Sequence, residues 1–229
     1  MSIIHEVASS LTKRGVPKPS LKQHILKNNV HDFSDEVYHG SPALGLLSML
    51  RYGINGHEHG EVAEYATFST SINPDVLWLF SEGAKATGIS FAVKGAKIVV
   101  LDDILSFLVT ALPGSGMDVD VDQEQLDAFI AKFGVPSNQT YGPHLPYDYL
   151  SSLGVDGFMY DSVYKAWKSG INFRRNDEME ICFIGQGIEK LSNMISGIFV
   201  AGHEYKVSEK DKAIMALGKK VVPSPRRRK

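Results

Sequence analysis

The sequence predicts a mixed α+β domain. Many short apolar runs read as strands. Two helix starts, Ser41-Pro42 and Asn73-Pro74, fall between the early ones. No Gly-x-Gly-x-x-Gly and no Walker sequence is present, so a doubly wound nucleotide-binding sheet has no support. With 229 residues, 43% of them hydrophobic, the chain can bury a sizeable core in one domain. We divide it into a helical extension (1–34), a body (35–206) and a basic tail (207–229).

In order along the chain, residues 1–34 read as polar helix, interrupted at Gly15-Val-Pro-Lys-Pro19. Glu36 to Gly40 is a short strand. Ser41 can cap the following helix with Pro42 at its first position, Leu44, Leu46, Leu47 and Leu50 as its buried stripe, and Gly53 as its stop. A second strand–turn–helix unit spans Ala66 to Ser71 and then Asn73 onward, with Val76, Leu77, Phe80 and Ala84 inward. Ile89–Val93 and Lys97–Leu101 read as two strands joined by a turn at Lys94-Gly-Ala96. Asp122 can cap a helix over 123–133. The Gly, Pro and Asn density between 134 and 146 predicts loop. Gly157–Tyr160 is a short strand, 162–176 a long loop or loop–helix, Met179–Gly185 a strand, and a last strand lies near 198–201.

Composition narrows the class further. No apolar run reaches the roughly 18 residues of a spanning helix, and Met1-Ser-Ile-Ile-His-Glu lacks the basic-then-apolar order of a secretory signal. The single cysteine, Cys182, sits in an apolar run and reads as a buried strand residue. A cytoplasmic, reducing setting without membrane contact is therefore expected. From 207 to 229 there are eight Lys/Arg against two acids, a net +6 within a total of −2, so the body stands near −8. That tail is either a solvated terminus or an arm for an acidic partner or nucleic acid.

Two metal readings fail on spacing. Asp118-Val-Asp-Val-Asp122 begins like a calcium loop but has Gln123 and Phe129 where glycine and glutamate are required. His57 and His59 lie two apart in a glycine-rich loop with no third ligand nearby. No metal is expected.

Three separated pieces remain: Tyr38-His-Gly-Ser41, Phe68-Ser-Thr-Ser71 and Asp177-Glu-Met-Glu180, the last opening an apolar strand. In a strand, Glu178 and Glu180 share a face. Singly each piece is ordinary; an imidazole, hydroxyls and an acidic pair at strand ends become a catalytic surface only if the fold brings them together.

Their order and character resemble the ADP-ribosyltransferase family. His39 within Tyr-His-Gly-Ser is similar to the branch that includes diphtheria toxin and the poly(ADP-ribose) polymerases. Ser69-Thr70-Ser71 and Glu178-Met-Glu180 are similar to the branch of arginine- and Rho-modifying toxins, so the chain looks like a mosaic of the two. Gly154-Val-Asp-Gly157 resembles a stretch that many members carry before the glutamate strand. The likeness spans roughly 37–187. It implies split mixed sheets around an NAD-binding cleft and transfer of ADP-ribose from NAD⁺, which serves as substrate.

By the same resemblance, His39 bonds the adenosine-side ribose, Gly40 offers main-chain contacts to the nicotinamide amide, and Ser41 lines the same loop. Ser69 braces Glu180, Thr70 and Ser71 hold the strand geometry, and Glu180 accepts a hydrogen bond from the 2′-hydroxyl of the nicotinamide-bearing ribose. Glu178 orients or deprotonates the acceptor. Tyr52 and Phe80 are the aromatics whose distance along the chain suits nicotinamide. Trp167, Phe173 and Arg174, interleaved with basic residues before the glutamates, fall in the stretch that recognises the acceptor in relatives; a partly packed helix is the alternative for Trp167. A protein acceptor, with arginine favoured by Glu178, is the leading expectation. A nucleic-acid acceptor, through the tail and the aromatic–basic loop, and a silent NAD- or ADP-ribose-binding module stay open. A toxin or effector, a virus-encoded modifier in host cytoplasm and an endogenous regulator all satisfy these residues.

Overall fold

Two stretches, residues 30–40 and 88–101, form a bent antiparallel ribbon from which the rest of the sheet extends. A computed structural model describes residues 21–52, 54, 67–79, 85–103, 105, 127–128, 131–133, 146–170, 179–208 and 211. In chain order, α1 (Leu21–His24) continues as a π-helical turn over Ile25–Asn29, followed by β1 (Val30–Phe33) and β2 (Glu36–Gly40). Next come α2 (Ala43–Tyr52), β3 (Thr67–Ser71), α3 (Val76–Leu79), β4 (Gly88–Ala92) and β5 (Ala96–Leu101). After a helical segment that includes 131–133 come α4 (Pro146–Ser152), β6 (Gly157–Tyr160), α5 (Asp161–Ser169), β7 (Glu180–Ile184), α6 (Gln186–Leu191), β8 (Ile195–Val200) and β9 (His203–Lys206).

The fold is α+β with a mixed sheet in the order β1-β5-β6-β7-β3-β2-β4-β8-β9. Only β5 and β6 run parallel; every other pairing is antiparallel. β1 pairs β5 and β2 pairs β4, so the ribbon continues through a bend. There Val93 N–H donates to the Asp35 carbonyl at 2.9 Å, and Gly95 N–H donates to Ser34 Oγ at 2.8 Å. Gly95 turns the chain at φ 64°. The turn expected at 94–96 thus carries the chain from one half of the sheet to the other and does not pair its two strands.

The pleat sorts side chains into two cores. Ile181 and Phe183 of β7 enter one, with Phe33, Val37, Phe68 and Phe91. Cys182 and Ile184 face the other, with Ile25, Val99, Leu150 and Phe158. Each fully buried aliphatic or aromatic side chain contributes roughly 1.5–3 kcal/mol.

Three expectations are corrected. Residues 21–34 are not a helical appendage: Leu21 and Ile25 are core residues, and Val30–Phe33 is a strand paired residue by residue with β5. The polar character of Val30-His-Asp-Phe33 hid it, because in this edge strand only Phe33 is fully buried. In α2 the buried stripe is Leu46 and Met49, with Leu50 partly buried beside them, while Leu44 and Leu47 are 82% and 61% exposed. Both sets have helical period, and only docking selects the face. Finally, α6 and β9 stand where no element was expected, while α5 realises the helical alternative for 162–176. Among the described residues no helix is long and apolar enough to cross a membrane.

The Gly154-Val-Asp-Gly157 stretch positions β6 beside β7. Asp156 is 2% exposed. Its carboxylate accepts from Lys97 N–H at 3.0 Å and from Lys190 Nζ at 2.6 Å. Its backbone bonds Lys97 O at 2.7 Å and Ile184 N at 2.9 Å. One residue therefore ties together β5, β7 and α6. At Gly157 any Cβ would collide with the Cys182 carbonyl, which is why β6 can lie so close to β7.

Candidate functional site

Glu180 opens β7 and lies directly opposite Ser71 of β3. Ser69 Oγ donates to Glu180 Oε1, a diagonal contact across the same strand pair. The pairing is reinforced from the other face, where Thr70 Oγ1 donates to Ile181 O at 2.9 Å. It also runs past the strand end, since Ile72 N–H donates to Met179 O at 3.1 Å and fixes the backbone just before Glu180. Ser71 Oγ accepts from Asn73 N–H at 3.0 Å, so its hydroxyl shapes the exit of β3.

His39 reaches this pair from β2. Its Nδ1 lies 2.7 Å from the Ser69 carbonyl, and its ring rests on Phe68 with centroids 4.4 Å apart. A carbonyl can only accept, so Nδ1 carries a proton and donates to it. Gly40 pairs with Gly88 of β4. A Cβ on Gly88 would strike the His39 carbonyl and Leu77, so close backbone approach here requires glycine. Ser41 is buried; its N–H donates to Thr87 O at 3.1 Å and its hydroxyl to Pro42 O at 3.3 Å.

Around the carboxylate, Cys182 stands opposite Ser69 on the same face. Burial pushes its thiol pKa up, with the Glu180 charge adding to the shift. It is a protonated neighbour of the site, not a nucleophile. On the other flank of β7 lies β6. Continuing the pairing of Met159 with Ile181 by one residue puts Tyr160 beside Glu180. Burial, then the charges of Cys182 and Glu180, raise the pKa of its phenol. Tyr38 of β2 pairs with Ser71. It is held by a 3.0 Å bond from its hydroxyl to Glu36 Oε2, and its pKa too is raised, first by burial and then by Glu36.

The structure thus brings His39, Ser69 and Glu180 into a bonded chain, with Gly40, Thr70 and Ser71 in the same strands and Ser41 just past the end of β2. Trp167 has other contacts. Its ring packs on Phe33 at 4.8 Å, its indole N–H donates to Asp35 Oδ2 at 2.9 Å, and Lys168 Nζ sits 4.2 Å from its centroid. These are the contacts of a partly packed helix residue and include none to Ser69 or Glu180. Tyr52 is the last residue of α2. Glu178, Phe80, Phe173 and Arg174 lie outside the described residues, as do His57, His59 and nearly all of the basic tail. Among the described residues no group of His, Cys, Asp and Glu is arranged to hold a metal ion.

Tyr160 and Cys182 entered no sequence-based site. Only the register of β6 against β7 reveals them as neighbours of Glu180, and register is not written in residues 157–160 alone. No protein-family model, curated protein or solved structure matches the chain.

Proposed function

We propose that this chain is a mono-ADP-ribosyltransferase of the ADP-ribosyltransferase family, which splits NAD⁺ at the nicotinamide–ribose bond and passes ADP-ribose to a protein side chain. One observation carries the reading: three residues from separate segments, His39, Ser69 and Glu180, meet as a hydrogen-bonded chain on adjacent strands. These are the positions that the resemblance assigns to the nucleotide contact, the brace and the catalytic carboxylate. The weak seam between β3 and β2, a single residue pair, suits a sheet divided around a substrate cleft.

The chemistry fits what this chain offers. As nicotinamide departs, positive charge develops on the ribose. A carboxylate bonded to the adjacent 2′-hydroxyl strengthens its interaction as that charge grows, so the contact lowers the barrier and not merely KM. Ser69 holds one oxygen of Glu180 in place before the substrate arrives, which avoids reorganisation during the reaction. His39, oriented by its Nδ1 donation to the Ser69 carbonyl, stands at the position that the resemblance assigns to the adenosine-side ribose. Gly40, held against Gly88, is the residue whose main chain the resemblance assigns to the nicotinamide amide. Glu178 orients the acceptor and favours arginine.

The test is nicotinamide release, and label transfer from adenine-labelled NAD⁺ to lysate protein, by the unmutated chain and by Glu180→Gln. The substitution keeps shape and removes charge. It should cut turnover by at least about a hundredfold, the scale of losing one preorganised transition-state contact, with the unfolding midpoint unchanged. Turnover equal in the two proteins would refute the assignment.

A further inference from the structure

Glu180 stands in the middle of a row that crosses four strands. Tyr160 of β6 comes next in register to it on one side, Ser71 of β3 is paired with it on the other, and Tyr38 of β2 is paired with Ser71. Directly paired residues share a face of the sheet, with Cβ atoms about 4.5–5.5 Å apart. The two tyrosines that end this row differ in what they already hold. The Tyr38 hydroxyl is bonded to Glu36, which also accepts from Ser196. The Tyr160 hydroxyl has no hydrogen-bond partner among the described residues. Its ring is fixed nonetheless, half-buried and packed against both apolar cores, at the point where β6 passes into α5.

We propose that Tyr160 is a further substrate-binding residue of this site, its phenolic O–H donating to the ribose hydroxyl adjacent to the one that Glu180 accepts. The inference rests on the reading of the site as an NAD⁺-cleaving one. Two vicinal hydroxyls on one sugar ring need two protein groups side by side on one face, and neighbouring strands offer that spacing. The polarity is complementary. Glu180 can only accept while ionised, so the hydroxyl it holds must donate; Tyr160 supplies the donor that the second hydroxyl can accept from. A phenol whose ionisation is disfavoured by burial and by neighbouring negative charge keeps that proton across the neutral range. An ordered ring whose donor bonds no described residue loses little entropy when the sugar arrives.

The experiment compares unmutated protein, Tyr160→Phe and Glu180→Gln, each with NAD⁺ and with NAD⁺ lacking the 3′-hydroxyl of the nicotinamide-bearing ribose. Readouts are nicotinamide release, split into KM and kcat, and thermal unfolding. For Tyr160→Phe the KM for NAD⁺ should rise roughly 3- to 10-fold, the worth of one neutral hydrogen bond, with a smaller change in kcat. Its unfolding midpoint should stay put, because the hydroxyl bonds no described protein group. The deoxy substrate should cost the unmutated protein a similar factor and cost Tyr160→Phe nothing more. An unchanged KM in Tyr160→Phe, or an equal deoxy penalty in both proteins, overturns the proposal while leaving the catalytic role of Glu180 intact. A lowered unfolding midpoint with general loss of activity marks Tyr160 as a packing residue and also overturns it. If the unmutated protein releases no nicotinamide, or Glu180→Gln matches it, the parent reading falls and this one with it.

Discussion

The Asp156–Lys190 pair is asymmetric, and the asymmetry fixes the order in which its variants should lose stability. The Asp156 side chain is 3% exposed while that of Lys190 is 51% exposed. Replacing Asp156 by Ala frees Lys190, whose ammonium simply returns to water at a loss of no more than about 1 kcal/mol. The main cost is Lys97 N–H, which loses a charged acceptor worth roughly 1.5–3 kcal/mol. The sum is about 2–4 kcal/mol. Replacing Lys190 by Met is different, because it strands a buried carboxylate with one backbone donor; removal of one member of a buried pair costs about 3–5 kcal/mol. Asp156→Asn keeps an acceptor for Lys97, strands no charge, and should cost least. The predicted order of loss is Lys190→Met, then Asp156→Ala, then Asp156→Asn. Urea unfolding with matched m-values measures it, and thermal midpoints should fall by roughly 2–4 °C per kcal/mol for a chain of this size. Adding Asp156→Asn to Lys190→Met should recover part of the loss, since no buried charge then remains. A Lys190→Met cost below about 1 kcal/mol, or no recovery in the double variant, would refute the claim that Asp156 is buried as a charge dependent on Lys190.

Two other outcomes follow from contacts at the site. Gly88→Ala should lower the unfolding midpoint and, under the proposed function, raise the KM for NAD⁺, because its Cβ presses on the His39 carbonyl and Leu77 at a φ of +155°. Gly95→Ala is the control: its φ of +64° carries strain but nothing lies within 4 Å of the added carbon, so its KM should not move. Cys182 should react slowly with iodoacetamide at pH 7.5, as burial and Glu180 both disfavour its thiolate. Glu180→Gln removes the second cause and should speed alkylation without bringing it to the rate of an exposed thiol; identical rates in the two proteins would separate Cys182 from the Glu180 charge.

What could be read in the sequence was local. Strands at 36–40 and 157–160 carry β-branched or aromatic residues and a glycine at one end, and both occur at the expected bounds. The motifs singled out His39, Ser69 and Glu180, and the contacts among them are what the structure adds. What could not be read was long-range. β1 is too polar to announce itself, and its strand character comes from four backbone pairings with residues more than sixty positions away. Trp167 has the composition of a binding residue, yet Phe33 and Asp35 occupy its ring and its N–H. The neighbours of Glu180 follow from register, which tertiary packing sets.

The seam between β2 and β3 explains why a polar cluster can form inside so apolar a sheet. Tyr38 and Ser71 are the only pair between these strands. Continuing their register would set His39 opposite Thr70 and Gly40 opposite Ser69, but β2 turns instead to follow β4, with which it makes five pairs. The Ser69 carbonyl, deprived of a ladder donor on that side, is bonded by the His39 imidazole. A side chain substitutes for a main-chain N–H, satisfying a group whose burial unpaired would cost about 1–3 kcal/mol. The same substitution fixes the histidine tautomer and ring plane, and it leaves the Ser69 hydroxyl free to turn to Glu180. Orientation of the imidazole, the serine and the carboxylate thus arises from one departure of two strands, so a variant that restored β2–β3 pairing would be expected to stabilise the sheet and disorganise the site together.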